Sequence, residues 1–323
     1  MPTIDLSTPP PAAPTLLEAL PRRVTLTLRE LQRVAAAAGG APLPFDLAGA
    51  AGVDAPDGSE AGASEAGGLA DRLGGGSDAG ADPSSAAYAA ALASLHDADE
   101  SLARRGLLLG DQVDDGLVGA VGLLATPEVA LDLDVAVGGL RARAWHRQAG
   151  DAVATLATVD GLVFELAWFG VAQWPLELGR VAVLPEDLAV GDSAVPARLD
   201  VPYELLDAVG EALRSDRADL LPVLVAQQPG ALLDERDAPL DEVAATGALA
   251  ALVGETRGRL RALVADVSGA ETTVAGVVSW VLLDDGWHAL RPHTLAGAHR
   301  VEVVRVEPAG LAADLAPVLA EVS

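Results

Sequence analysis

Residues 275–292 read AGVVSWVLLDDGWHALRP, and this stretch decides the fold class. Asp285-Gly286 falls between two runs rich in Val, Leu and Trp, a strong short-range signal for a β-hairpin, because a type I′ turn needs φ > 0 at both central residues. A turn centred there sets Leu283 opposite His288, Val281 opposite Leu290 and Trp280 opposite Arg291. One face of this hairpin is then largely apolar.

The same pattern occurs earlier, in DAVATLATVDGLVFELAWF at 151–169. A turn at Asp160-Gly161 pairs Val159 with Leu162, Ala157 with Phe164, Thr155 with Leu166 and Val153 with Trp168 on one face. The flanks repeat as well. An Ala/Leu helical stretch and an Arg-bearing strand come before each hairpin (140–145 and 259–267), and a strand ending in Pro comes after it (176–185 and 300–308). This reads as a degenerate duplication of about 120 residues. Two such units are expected to share one sheet and one core, giving an α/β (α+β) fold of two halves around a mainly antiparallel sheet flanked by helices.

Working outward, 128–137 alternates strictly. Leu131, Leu133, Val135 and Val137 point one way, Asp132 and Asp134 the other. Gly138-Gly139 turns this strand into 140–145, which places Asp134 opposite Arg143 with Arg141 one diagonal away. Helices are expected at 28–38, opened by the capping box Thr27-x-x-Glu30, and at 86–105, 115–124, 203–214, 240–253 and 309–321. Val301 and Val303 stand out of phase with Val304 and Val306, the mark of a bulge. Residues 1–20 are Pro-rich and read as a loose arm before a single domain over 21–323. Its halves run about 21–190 and 200–323. From 48 to 84 the sequence collapses to Ala, Gly, Ser, Asp and Glu, a composition that buries too little to offset its ordering entropy, so a disordered acidic insertion is expected.

Composition limits function. The 323 residues carry 47 acidic and 21 basic side chains, a net charge of −26, which argues against nucleic acid and anionic lipid partners. All the basic residues are Arg, a bias of high-GC coding. The absence of Cys excludes disulfides and thiol chemistry and fits a reducing cytoplasm. No signal peptide is apparent, and the longest apolar runs fall short of the roughly 20 residues a membrane helix needs. The expected location is cytoplasmic, without membrane insertion.

No catalytic set emerges, and no enzyme activity or cofactor is expected. Asp132-x-Asp134 has a spacing that can hold a hard cation, but both acids have arginines across the hairpin to pair with. His293 and His299 lack a third ligand, and His146 and His288 lie on hairpin strands. Ser193 lacks the G-x-S-x-G of a nucleophile elbow. Trp168, Phe169 and Trp174 read as core.

The run LARRGL at 102–107, then TPEVALDLDV at 126–135 and the Arg-bearing strand, resembles the first half of the EspG family of ESX (type VII) secretion-associated proteins. VTLTLREL at 24–31 and PLPF at 42–45 look like that family's start. GVVSW at 276–280, DDGW at 284–287 and the strand at 301–308 look like its end. The resemblance implies two related halves around a central antiparallel sheet, with a helical bundle. It also implies a cytosolic chaperone that holds a helical secretion substrate of an ESX system, PE/PPE-like or WxG-type, soluble for export. Family members are described as binding through the loop between the second and third strands and the C-terminal helical bundle. Here that loop is Val137-Gly138-Gly139-Leu140, much shorter than in mycobacterial members, and with Arg141, Arg143 and Trp145 of the following strand it forms the expected partner-binding set. Two other readings remain: an enzyme with an unrecognised site, centred on Asp132, Asp134, His146 and His288, and a module that associates with itself through sheet edges.

Overall fold

Strict alternation makes the two central strands. β4 (Val129–Val137) buries every second residue, and its antiparallel partner β9 (Gly258–Asp266) does the same with Leu260, Ala262 and Val264. The computed structural model describes residues 22–45 and 85–322; the expected N-terminal arm and acidic insertion lie outside the described residues. Around β4 and β9 a ten-stranded antiparallel sheet is ordered β1-β7-β6-β5-β4-β9-β10-β11-β12-β8. The outer strands are β1 (Arg22–Thr27), β5 (Leu140–Ala149), β6 (Ala152–Thr158), β7 (Val163–Gly170), β8 (Arg198–Pro202), β10 (Thr273–Leu283), β11 (Gly286–Leu295) and β12 (Ala298–Arg305).

The order exposes the duplication. Each half has one edge strand, then helices, then a four-strand meander, then a closing helix. The first half is β1, α1 (Leu28–Ala37), α2 (Ser85–Ser94), α3 (Ala98–Arg104), a small hairpin of β2 (Leu108–Leu109) and β3 (Gln112–Val113), α4 (Asp115–Ala125), β4 to β7 and α5 (Trp174–Val181). The second is β8, α6 (Tyr203–Arg214), α7 (Leu221–Ala226), α8 (Glu242–Gly254), β9 to β12 and α9 (Leu311–Leu319). The halves meet at the β4–β9 ladder. Both sheet edges are engaged where they could template another strand: Leu233 bonds Asp200 of β8 in both directions (2.9 and 3.0 Å), and Arg105 donates to the Thr25 carbonyl of β1 (2.7 Å).

Several expectations are corrected. The β10–β11 turn is Asp284-Asp285, not Asp285-Gly286: Leu283 pairs with Gly286 and Val281 with His288. Only Gly286 takes positive φ (129°), so the turn is not type I′. The shift is two residues, and the faces survive it. At β6–β7 the shift is one: Thr158 pairs with Phe164 and Val153 with Phe169. The turn is wider because Asp160 accepts from the amides of Leu162 and Val163 (2.8 and 2.9 Å) while Thr158 accepts from Gly161 (2.9 Å). Such a slip sends Val153 and Phe169 to one face and Leu156, Phe164 and Leu166 to the other, and both faces are buried. The two Asp-containing turns are also not equivalent. The counterpart of Asp284-Asp285 in the first meander is Gly150-Asp151, between β5 and β6. The expected strand at 176–185 is helix α5, with Pro175 in its first turn. β12 is regular, and the bulge falls in β10, between Val274 and Gly276.

Three cores result rather than one. The inner sheet face carries a core common to both halves, with Leu131, Leu133, Trp280, Trp287, Leu178 of α5 and Leu311 and Leu315 of α9. On the outer face, α1, α3 and α4 cover β1, β7, β6 and Trp145, while α6, α7 and α8 cover β8, β12 and parts of β10 and β11. Neither outer core includes the outward residues of β4 or β9. Among the described residues a channel opens there, over Asp132, Asp134, Arg143, Trp145 and Arg261.

Candidate partner-binding site

The β4–β5 hairpin closes through Gly138 (φ 57°) and Gly139 (φ 85°), the left-handed pair a type I′ turn requires. Val137 pairs with Leu140 across it, Val137 buried and Leu140 59% exposed. The Gly138 amide donates to the Arg257 carbonyl (3.4 Å), just past the C-terminus of α8. The tip of the hairpin thus stands against the end of the second half's helical group.

From the tip the outward face of β5 carries Arg141, Arg143, Trp145 and Arg147. Asp134 is opposite Arg143 as expected, and Arg141 reaches it diagonally (2.5 and 2.9 Å). Asp132 binds Arg147 (2.6 Å). A groove of about 470 Å³ opens over this face, lined by Phe45, Asp132, Asp134, Arg143, Trp145 and Arg261 among others. Phe45 stacks on Phe164 (centroids 5.0 Å apart, planes at 11°) and leans on Trp145 at 5.2 Å, which makes an aromatic wall. Of the expected set, Val137 and Trp145 are buried, and the two glycines, Leu140, Arg141 and Arg143 are accessible. Sequence reasoning missed Phe45 and Arg261. Phe45 sits in a loop whose destination no local pattern reveals, and Arg261 reaches the site only through the pairing of β4 with β9.

The rival chemical centres do not converge. His146 is on the inner face of β5, fully buried, accepting from the Trp174 indole at Nδ1 (2.9 Å). Burial, then the neighbouring Arg147 charge, pushes it down to about 3. His288 is buried in the other half, both ring nitrogens lacking a hydrogen-bond partner, with Asp285 at 3.8 Å. His293 bonds Asp200 (3.1 Å), while His299 lies exposed on the neighbouring strand. Ser193 donates to Glu255 (2.5 Å). Phe169 and Trp174 are core, and Trp168 is half-buried. Among the described residues no helix is long and apolar enough to cross a membrane.

No family model and no curated protein matches the sequence. The structure matches that of the Mycobacterium tuberculosis type VII secretion system chaperone EspG5, solved in complex with a PE25–PPE41 dimer, with a TM-score of 0.56 and 12% identity over 92% of this chain and 96% of that one. At that identity the likeness is one of fold, and the chain is built on the fold of an EspG-type secretion chaperone.

Proposed function

We propose that this protein is a cytoplasmic, non-enzymatic chaperone of an ESX (type VII) secretion system that binds a helical secreted partner, PE/PPE-like or WxG-type, and keeps it soluble for export. The observation that carries the reading is the end-to-end fold match to a chaperone held in a complex with such a dimer. The site geometry supports it. The β4–β5 hairpin, with Gly138, Gly139, exposed Leu140, Arg141 and Arg143, adjoins the end of α8, so two elements that the family resemblance implicates are one continuous surface. Beside it runs a channel with an aromatic wall, suited to a helix laid in a groove.

Co-expression with the PPE-like or WxG-type proteins encoded at the same locus, followed by size-exclusion chromatography, tests the reading. A co-eluting complex is expected. Leu140→Asp should abolish co-elution while changing stability by no more than about 0.5 kcal/mol, as for exposed positions generally. Partners that are soluble yet elute separately from the unmodified chain would sink the proposal.

A further inference from the structure

Beneath α5 the inner face of the sheet is built from small side chains. Directly opposed residues share a face, and two rows cross it there: Ala144, Ala157, Glu165 and Thr25 in one, His146, Thr155, Ala167 and Arg23 in the next. Alanine recurs in both rows, where strands favour larger β-branched side chains. A cavity of about 220 Å³ is left between sheet and helix, lined by Ala144, Ala157, His146 and Thr155 on the one side and Glu177 and Val181 on the other. Its charges cancel. Arg23 pairs with Glu165 (3.1 Å) and with Glu177, and Arg180 pairs with Glu177 (3.4 Å) and Glu165 (3.8 Å), which closes a ring of two cations and two anions. Arg143, which also reaches the cavity, is held by Asp134 (3.9 Å).

Two polar groups of the lining stand outside that ring. His146 and Thr155 are directly opposed on neighbouring strands and only 2% and 8% exposed. The Trp174 indole can only donate, so the Nδ1 that accepts from it carries no proton and the imidazole N–H is at Nε2. Among the described residues neither that N–H nor the Thr155 hydroxyl has a hydrogen-bond partner. A buried donor left unmet is costly, and an acceptor brought to it removes the cost. We infer that the cavity binds a small uncharged molecule bearing a primary amide, its carbonyl oxygen accepting from His146 Nε2 and its NH2 donating to Thr155. His146 requires an acceptor, while a hydroxyl takes either role. The Cβ atoms of directly opposed strand residues lie about 4.5–5.5 Å apart, close enough for one amide group to bridge the pair. The closed ring offers no net charge to a carboxylate or an ammonium group, and the alanines with Val181 suit an apolar remainder. At a water's share of about 30 Å³ the volume equals about seven waters, which limits the ligand to a few atoms beyond the amide. The cavity is floored by the face opposite the β4–β5 channel, so the inference stands apart from the chaperone reading.

The test titrates the full chain with benzamide, isobutyramide and benzoate, read by saturation-transfer NMR. At least one of the two amides is expected to bind with a dissociation constant of about 1 mM or tighter, in the range open to a ligand of this size. Benzoate, which has the shape of benzamide and a charge, is expected not to bind. Thr155→Val keeps the branched side chain and removes the hydroxyl, so it should weaken amide binding about three- to tenfold, the weight of one hydrogen bond. Ala157→Leu fills the cavity and should abolish binding. Should the Leu variant fold poorly, Thr155→Val and the contrast between benzamide and benzoate decide the matter. No binding of either amide, benzoate binding as well as benzamide, or Thr155→Val binding like the parent overturns the inference. Co-elution with a secretion partner does not depend on any of these results.

Discussion

His146 and His288 set how single residues tie this fold to pH. Burial is the largest cause that lowers each imidazole's affinity for a proton; for His288 the Asp285 carboxylate opposes it without prevailing. In the unfolded chain both titrate near 6.5. The folded state therefore binds fewer protons than the unfolded one from about 6.5 downward, and for His146 this continues to about 3. Stability is full above 6.5 and falls with pH below it, by at most about 1.4 kcal/mol per pH unit for each histidine. A melting temperature that stays flat between about pH 7.5 and 5 would contradict this. Trp174→Phe keeps an aromatic ring but shrinks it and leaves the buried Nδ1 of His146 without its donor, so a loss of at least about 1–3 kcal/mol is expected in denaturant unfolding. A loss below 0.5 kcal/mol, the usual range of a silent surface change, would mean that this bond contributes little.

Elements show where sequence carries structure and where it does not. α1 was legible from its capping box, which is fully formed: Thr27 accepts from the Glu30 amide (3.3 Å) and Glu30 from the Thr27 amide (2.8 Å). Thr27→Ala should cost about 1 kcal/mol, read from the denaturation midpoint, and an unchanged midpoint would show that the cap is redundant. β4 and β5 were legible because one face is apolar and the other charged, so only one register satisfies both. β6 and β7 are apolar on both faces, and there a one-residue slip leaves no exposed hydrophobic side to betray it. α5 was mistaken for a strand because eight residues are too few for a helical period to stand out, although Pro175 in its first turn was an available start signal. The candidate site divides the same way: its hairpin half follows from Gly138-Gly139, while its other wall needs long-range pairing. α9 is a further element tied to the sheet through the side chain of Asp314. Asp314 accepts from the Trp280 indole (2.9 Å) and from Arg291 (2.7 Å), so Asp314→Ala strands a buried N–H and should cost about 1–3 kcal/mol. Loss of Trp280 burial, seen as a red-shifted emission, would accompany it if α9 lifts.

At the scale of the molecule, the question is whether two similar halves melt as one or as two. Each half owns an outer core, which argues for independence. Against that, the β4–β9 ladder joins them through nine residue pairs. The inner core then mixes Leu131, Leu133 and Phe169 of the first half with Trp280, Leu282 and Trp287 of the second, and α5 and α9 of opposite halves close it together. Separating the halves would expose that inner core and leave two nine-residue edges unpaired, so a half-folded state loses burial on both sides of the cut. We therefore expect one cooperative calorimetric transition, with equal calorimetric and van't Hoff enthalpies. Leu131→Ala in the first half and Leu282→Ala in the second, both fully buried, should each lower that same transition by about 2–5 kcal/mol of stability. Two transitions in the parent, or one variant splitting the peak while half the signal keeps its original midpoint, would show that the halves are separate folding units and that the shared sheet is only a docking interface between them.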